Sequence, residues 1–276
     1  MRNALTVDVE DYFQVQAFAG TISEADWATH EPRVEANTHR VLDLFAESSV
    51  HATFFVLGWV AERYPALITR MNAEGHEVAS HGMRHVRVGH QSPEAFFDDI
   101  STTKKLLEDT AGAPVIGYRA ASFSIDRSTP WAHEQLAKAG YVYSSSVYPV
   151  KHDIYGMPGG QRFSYVPEDA GLTEIPVTTV RAFGKILPCG GGGYFRLFPY
   201  AWSRWAWRQV NRVEQQPAMF YFHPWEIDPG QPRQATAPLK SKLRHYARLG
   251  AMEGKIKRAL QDFQWDRMDH VFLADA

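Results

Sequence analysis

Short apolar runs rich in β-branched and aromatic residues alternate along the chain with longer stretches of helical period, the pattern of an α/β fold on a largely parallel sheet. Leu5 to Val9 is the first expected strand. Val34 to Ser49 carries Val41, Leu42 and Phe45 at helical spacing, and Ala52 to Leu57 then reads as a fully buried strand ending at Gly58. Glu77 to Ser80 is a third strand. Ser92-Pro93-Glu94 supplies an N-cap, a first-turn proline and an acid for a helix running to Ala111. Val115 to Tyr118 reads as a strand, Thr129-Pro130 opens a helix that stops at Gly140, and Tyr141 to Tyr143 and Thr173 to Val180 are extended. From His152 to Gly171 the chain has no period and is rich in Gly, Pro and aromatics, which predicts a long loop. Tyr200 to Gln216 is expected as a helix, Ala218 to Phe222 as a late strand, and Lys240 to Phe263 as one basic amphipathic helix. Six or seven βα units without a dinucleotide-binding glycine pattern point to a (β/α) barrel, and no linker or repeat divides residues 1–276, so one domain is expected.

Composition narrows the function classes. With 45% hydrophobic and 22% charged residues the chain is that of an ordinary globular protein, which excludes disorder and fibrous repeats. Lys and Arg number 29 against 31 Asp and Glu, a formal charge of −2, so no summed field draws the chain to nucleic acid. The single cysteine, Cys189, has no partner for an internal disulfide and no evident base to activate it. No run approaches the roughly 18 to 20 apolar residues that span a bilayer, and Asp8 and Glu10 come too early for the apolar region of a signal peptide. A cytoplasmic protein without a membrane span is the expectation.

Polar, ionisable residues follow several of the strands, where a barrel gathers its active site. The two-residue period of a strand puts Asp8 and Glu10 on one face and turns Asp11 away. That pair reads either as a base with a metal ligand or as a solvated strand end. His81 and His85, at i and i+4, would meet on one side of a helical turn with their imidazole nitrogens set for a divalent metal. Gly82 stands where a zincin has its glutamate base, so any base comes from elsewhere. His223 ends an aromatic strand stopped by Pro224, as a structural histidine or as an acid or base. Arg119, after a buried strand, calls for a carboxylate partner, and Asp8 is available. Ser101 to Lys104 matches a β-lactamase tetrad without its companion motifs and is discounted. Gly190 to Gly193 reads as a flexible turn near the barrel mouth, and Tyr200, Trp202, Trp205 and Trp207 as core packing, with sugar stacking second.

Together, Thr6-Val7-Asp8-Val9-Glu10, His81-Gly82-Met83-Arg84-His85, Tyr118-Arg119-Ala120-Ala121-Ser122 and Phe222-His223 resemble, in order and spacing, the polysaccharide deacetylase (NodB-homology, carbohydrate esterase family 4) domain. Val7 to Phe13 and Phe222 to Pro229 are similar, more narrowly, to the deacetylases found with exosortase and exopolysaccharide gene clusters, and the resemblance covers nearly the whole chain, including a family-specific C-terminal extension from about residue 239. It implies a distorted (β/α)7 barrel and a divalent metal, usually zinc, held by Glu10, His81 and His85. By the same likeness Asp8 is the general base, Arg119 its orienting partner and His223 the general acid, with Ser122 and Trp225 at the substrate. The implied activity is hydrolysis of the acetamide of N-acetylated amino sugars, in a bacterial exopolysaccharide or its precursor. A small-amide hydrolase and a carbohydrate-binding homologue without turnover are the alternatives; an open groove lined by Tyr155, Trp225 or Phe195 would favour a polymer.

The chain departs from the family pattern at three places. Val9 separates the base from its neighbouring acid, which leaves Glu10 and Asp11 both open as the ligand. Ala121 and Ser122 stand where a proline and an aromatic are usual. Ser144 stands where an aspartate would pair with the catalytic histidine, so without a substitute carboxylate His223 is expected to hold its proton less tightly.

Overall fold

A computed structural model describes residues 1–152, 156–168 and 170–273. In chain order the elements are β1 (Arg2–Val9), α1 (Val34–Glu47), β2 (Thr53–Val56), α2 (Gly58–Arg63), α3 (Pro65–Ala73), β3 (Glu77–Ser80), α4 (Pro93–Ala111), β4 (Gly117–Tyr118), α5 (Ala132–Lys138) and β5 (Tyr143–Ser144). They continue with β6 (Thr173–Glu174), β7 (Thr179–Ala182), β8 (Lys185–Pro188), α6 (Gly192–Leu197), α7 (Tyr200–Arg212), β9 (Met219–Phe222), α8 (Leu239–Tyr246), α9 (Met252–Asp262), β10 (Gln264–Asp266) and α10 (Met268–Phe272).

Seven strands run parallel in the order β9-β1-β2-β3-β4-β5-β6 and curl into a distorted barrel. Among the described residues no ladder joins β6 to β9. The gap is bridged instead by Thr178, whose Oγ1 accepts from Met219 N at 2.6 Å, and by Gly190, whose carbonyl accepts from Tyr221 N at 2.8 Å. The strand β1 starts earlier than its apolar run because Arg2 to Ala4 pair with β10, near the end of the chain.

Strand alternation divides the apolar residues between two clusters. Leu5, Val7, Val9, Phe54, Phe220 and Phe222 point outward against the helices, whereas Ala4, Phe55, Met219 and Tyr221 fill the barrel. Because both faces of β1 are buried from Asn3 onward, its sequence from Ala4 to Val9 reads as a nearly continuous apolar run broken only by Thr6 and Asp8. In α4 the hydroxyl of Ser92 accepts from Ala95 N at 3.2 Å and Gly112 ends the helix at φ 67°, as the capping signals require.

The C-terminal stretch differs from expectation. In place of one helix, α8 and α9 are separated by an extended Ala247 and by Arg248 at φ 55°. The side chain of Arg196 takes hydrogen bonds away from the helical ladder there: it donates to the carbonyls of Arg244, His245 and Ala247. Gly190 to Gly193 is likewise no flexible turn. A Cβ on Gly191 would lie 2.8 Å from the Tyr221 hydroxyl and one on Gly192 2.2 Å from Glu226 Oε1, so the backbone passes where only glycine fits. Tyr200 and Trp207 are core residues, whereas Trp205 is 41% exposed. Among the described residues no helix is long and apolar enough to cross a membrane.

Glu174 at the end of β6 joins the last strands to α5: it accepts from Ser146 N and Val147 N at 2.8 Å each and pairs with His133 Nε2 at 2.9 Å. Burial pushes its pKa up, but these partners outweigh that and hold it below the usual carboxylate range. A lowered folded pKa gives stability that is complete above the unfolded pKa and lost as pH falls through the folded value. Glu174→Gln is expected to cost about 2 to 3 kcal/mol in urea unfolding at neutral pH. The difference should shrink on acidification below the ordinary glutamate value of about 4.3.

Candidate active site

At the C-terminal ends of the strands the barrel is polar, and the parts come from β1, β3, β4, β5 and β9. Arg119, fully buried just after β4, extends its guanidinium inward over the Phe55 ring at 3.9 Å. It donates to Asp8 Oδ1 at 2.5 Å, to Thr6 Oγ1 at 2.9 Å, and to the carbonyl and hydroxyl oxygens of Ser145 at 3.2 and 3.1 Å. The expected pairing of Asp8 with Arg119 is thus present, and the second oxygen of Asp8 stays on the pocket side, 3.9 Å from His223 Nε2.

Glu10, His81 and His85 converge: one ligand atom from each lies within 4.8 Å of the others. The histidines do not meet on a helical turn. His81 follows β3 directly, the chain then turns at Gly82 (φ 76°), and His85 itself takes φ 54°. That loop is pinned by Gly58 N and Trp59 N, which donate to the carbonyls of Gly82 and Met83, and by Asp99, which accepts from Met83 N. His81 Nδ1 lies 2.8 Å from the Arg119 carbonyl, which can only accept, so Nδ1 carries the proton and Nε2 keeps its lone pair. Burial pushes the His81 imidazole down to about 4, which keeps it neutral.

Glu10 is buried, yet its Oε2 accepts no hydrogen bond while lying 3.0 Å from His85 Nε2. Burial alone would raise its pKa, but the surrounding His85, His223 and His81 pull it down to about 2. A buried carboxylate oxygen 3.0 Å from the His85 ring nitrogen, with the His81 imidazole drawn into the same cluster, is a donor set that fits a divalent cation. Asp11, in contrast, faces the start of α1, where its carboxylate accepts from Arg33 N at 2.7 Å, Val34 N at 2.9 Å and Tyr12 N at 2.8 Å. Burial nonetheless raises it to about 6.

His223 has a carboxylate partner that the sequence reading did not identify. Its Nδ1 lies 2.9 Å from Oε1 of Glu226, and its backbone N–H donates to the same oxygen at 3.1 Å. The expectation of a weakly held proton is therefore reversed. Burial pulls the imidazole down, but Glu10, Glu226 and Asp8 together push it up to about 9. Ser144 instead donates to Ser146 Oγ. Glu226 is in turn bonded by Arg196 Nε at 2.5 Å. The available signal was a glutamate three residues after a strand-ending His-Pro, a spacing that brings a side chain back to its own N-cap.

A cavity of about 320 Å³ opens over these groups, lined by Asp8, Glu10, His81, His85 and His223 together with Ser122. Ser122 stands at φ 54° within the short turn after Arg119. Trp225 also lines the cavity, but its ring is covered on both faces, by His223 at 5.1 Å and His245 at 4.1 Å. Phe195 is packed in the core against Trp207 and Phe220 and lines no groove, and Tyr155 lies outside the described residues. Cys189 is buried with its thiol pushed up by burial, unsuited to nucleophilic work.

Residues 26–144 match the family model for polysaccharide deacetylases, and residues 145–273 match a domain of unknown function, DUF3473. The chain carries a polysaccharide deacetylase domain. A chitooligosaccharide deacetylase of Bradyrhizobium sp. (strain ANU 289) is 35% identical over 106 residues, 37% of this chain and 46% of that protein. The chain spans less than half the length of the curated relatives it matches. In fold it is similar to a Mycobacterium smegmatis protein assigned to the polysaccharide deacetylases, at 22% identity and a TM-score of 0.62 over 99% of this chain and 90% of that one. The allantoinase PuuE shares the fold at 16% identity and a TM-score of 0.59, over 98% of this chain and 88% of that one. The deacetylase match contains His81, His85 and Arg119, whereas His223, Glu226 and Arg196 belong to the second matched region and Asp8 and Glu10 precede both. The site therefore draws on both matched regions, and the join at residues 144 and 145 falls inside it at the end of β5.

Because Asp11 serves the α1 N-terminus, Asp11→Ala is expected to lower stability by about 1 to 2 kcal/mol in chemical denaturation while leaving divalent-cation uptake at the wild-type level.

Proposed function

We propose that the protein is a divalent-metal-dependent N-deacetylase that hydrolyses the acetamide of N-acetylated amino sugars. The observation that carries this reading is the unpartnered, buried Glu10 oxygen beside His81 and His85, in one cavity with an arginine-held Asp8 and with His223. Glu10, His81 and His85 would hold the ion, and zinc suits a set of two imidazoles and one carboxylate with an open position. When bound, such an ion supplies Lewis acidity toward water and the amide carbonyl.

The protein's own groups account for the proton transfers. Water adds to the carbonyl carbon, and its proton passes to the free Oδ2 of Asp8, whose other oxygen is fixed by Arg119. The C–N bond then breaks as His223 delivers its Nε2 proton to the amine nitrogen, leaving acetate and a free amino sugar. Arg119 keeps Asp8 oriented, and Ser122, in its left-handed conformation, presents backbone beside the acyl group. The deacetylase relative supports a glycan substrate. The sequence likeness of Val7 to Phe13 and Phe222 to Pro229 supports an exopolysaccharide or its precursor.

Acetate release from N-acetylglucosamine oligomers should be chelator-sensitive and restored by zinc. Bound metal without acetate from any oligomer, but with ammonia or acid released from a small amide, would replace this reading by the small-amide one. His81→Ala or His85→Ala should abolish metal retention in elemental analysis. Asp8→Asn should retain metal and lose on the order of 10² to 10⁴ in kcat.

A further inference from the structure

The proposed acid, His223, is reached by α8 along two routes. The first is a chain of hydrogen bonds. Oε1 of Glu226 takes the His223 Nδ1 proton and backbone N–H, and its Oε2 accepts from Arg196 Nε. The remaining donors of Arg196 go to backbone: Nη1 to the carbonyls of His245 at 2.9 Å and Ala247 at 2.6 Å, Nη2 to that of Arg244 at 3.3 Å. These carbonyls belong to the end of α8, where the helical ladder stops and partial negative charge collects, so a guanidinium is the fitting neighbour. Both charged groups are almost fully buried, Arg196 at 2% exposure and Glu226 at 1%.

The second route is a stack of rings. Trp225 lies between His223 and His245 with interplanar angles of 19° and 15°, and His245 is fixed by Gln231 Oε1 at 2.6 Å from its Nε2. Close packing leaves this assembly one arrangement. A side chain at Gly192 would collide with the Glu226 carboxylate, so the first turn of α6 closes over it.

We infer that Glu226 is the positioning residue of His223, and that Arg196 and the C-terminal end of α8 hold it in place, so that the segment around residues 239–251 completes the active site. This rests on the deacetylase reading for its kinetic consequence but not for its geometry. A buried ion pair placed only for stability would spend its acceptors on any donors nearby. Here one oxygen is divided between the side chain and backbone of one histidine, His223, and the other is clamped from the opposite side by Arg196. A carboxylate so placed fixes the ring's tautomer with Nδ1 protonated and directs Nε2 into the cavity.

The test compares wild type with Glu226→Gln, Glu226→Asp and Arg196→Lys. In Glu226→Gln the acceptor facing His223 loses its charge with little change of shape. We expect kcat to fall on the order of 10- to 100-fold with KM and metal content unchanged. Glu226→Asp should recover part of the loss, and Arg196→Lys should reproduce it, because an ammonium cannot reach Glu226 and three carbonyls together. Proton and nitrogen NMR of histidine-labelled protein supplies a readout independent of turnover. The wild type should show a strongly downfield His223 Nδ1 proton that moves upfield in Glu226→Gln. Unchanged kcat and an unmoved proton in that variant would overturn the inference, whatever the behaviour of the lysine variant. Wild-type protein that binds metal yet releases no acetate would instead sink the deacetylase reading, and the NMR comparison would still decide the role of Glu226.

Discussion

The arginine at the centre of the barrel is the constraint on which the rest of the site depends. A guanidinium fully out of water is tolerable only when its donors are satisfied, and Arg119 meets that condition with Asp8 and Thr6 of β1 and both oxygens of Ser145 after β5. One side chain from the end of β4 thereby fixes the spacing of three strand ends. Its backbone carbonyl then sets the tautomer of His81, so Asp8 and the Glu10–His81–His85 cluster are aligned by the same residue. A lysine could offer neither the planar fork nor this number of donors. The aromatic lid of Phe55 beneath it excludes the water that would otherwise compete.

Two adjacent carboxylates show how environment divides similar groups between different tasks. Glu10 and Asp11 are neighbours in sequence and both are buried, and burial alone would raise both. Glu10 is surrounded by three imidazoles and ends near 2; Asp11 has only backbone N–H groups and ends near 6. The strand period explains the split, since β1 ends at Val9 and the chain turns between the two acids. An acid that caps a helix and an acid that faces imidazoles can therefore be told apart once the strand end is known.

Much of this was legible in the residues. Continuous apolar runs bounded by Gly and Pro marked the buried strands, and Ser92-Pro93 with Gly112 marked α4, because these signals act over a few residues. His81, Arg119 and His223 stood out by following such strands, and Asp8 by lying at the end of one. What escaped depended on contacts distant in sequence. The early start of β1 comes from pairing with β10 more than 250 residues later, and the break between α8 and α9 from Arg196, which no local propensity of residues 240 to 263 records. The i, i+4 spacing of His81 and His85 suggested a helix, but a glycine at positive φ and anchors on α2 and α4 achieve the same convergence from a loop.

The pairing of His223 shows why absence from an expected position is weak evidence of a missing interaction. At the end of β5 a serine stands where a carboxylate was sought, and the imidazole finds its carboxylate on its own segment instead. Geometry makes the two solutions equivalent, because a ring at a strand end can be approached from the neighbouring strand or from the turn that follows it. The second solution has a further requirement: a carboxylate on a turn must be held from behind, or it would rotate toward solvent. Arg196 meets it, and satisfying Arg196 in turn needs the carbonyls that α8 leaves open at its end. A carboxylate placed on the turn rather than on the strand thus ties the His223 end of the cavity to α8.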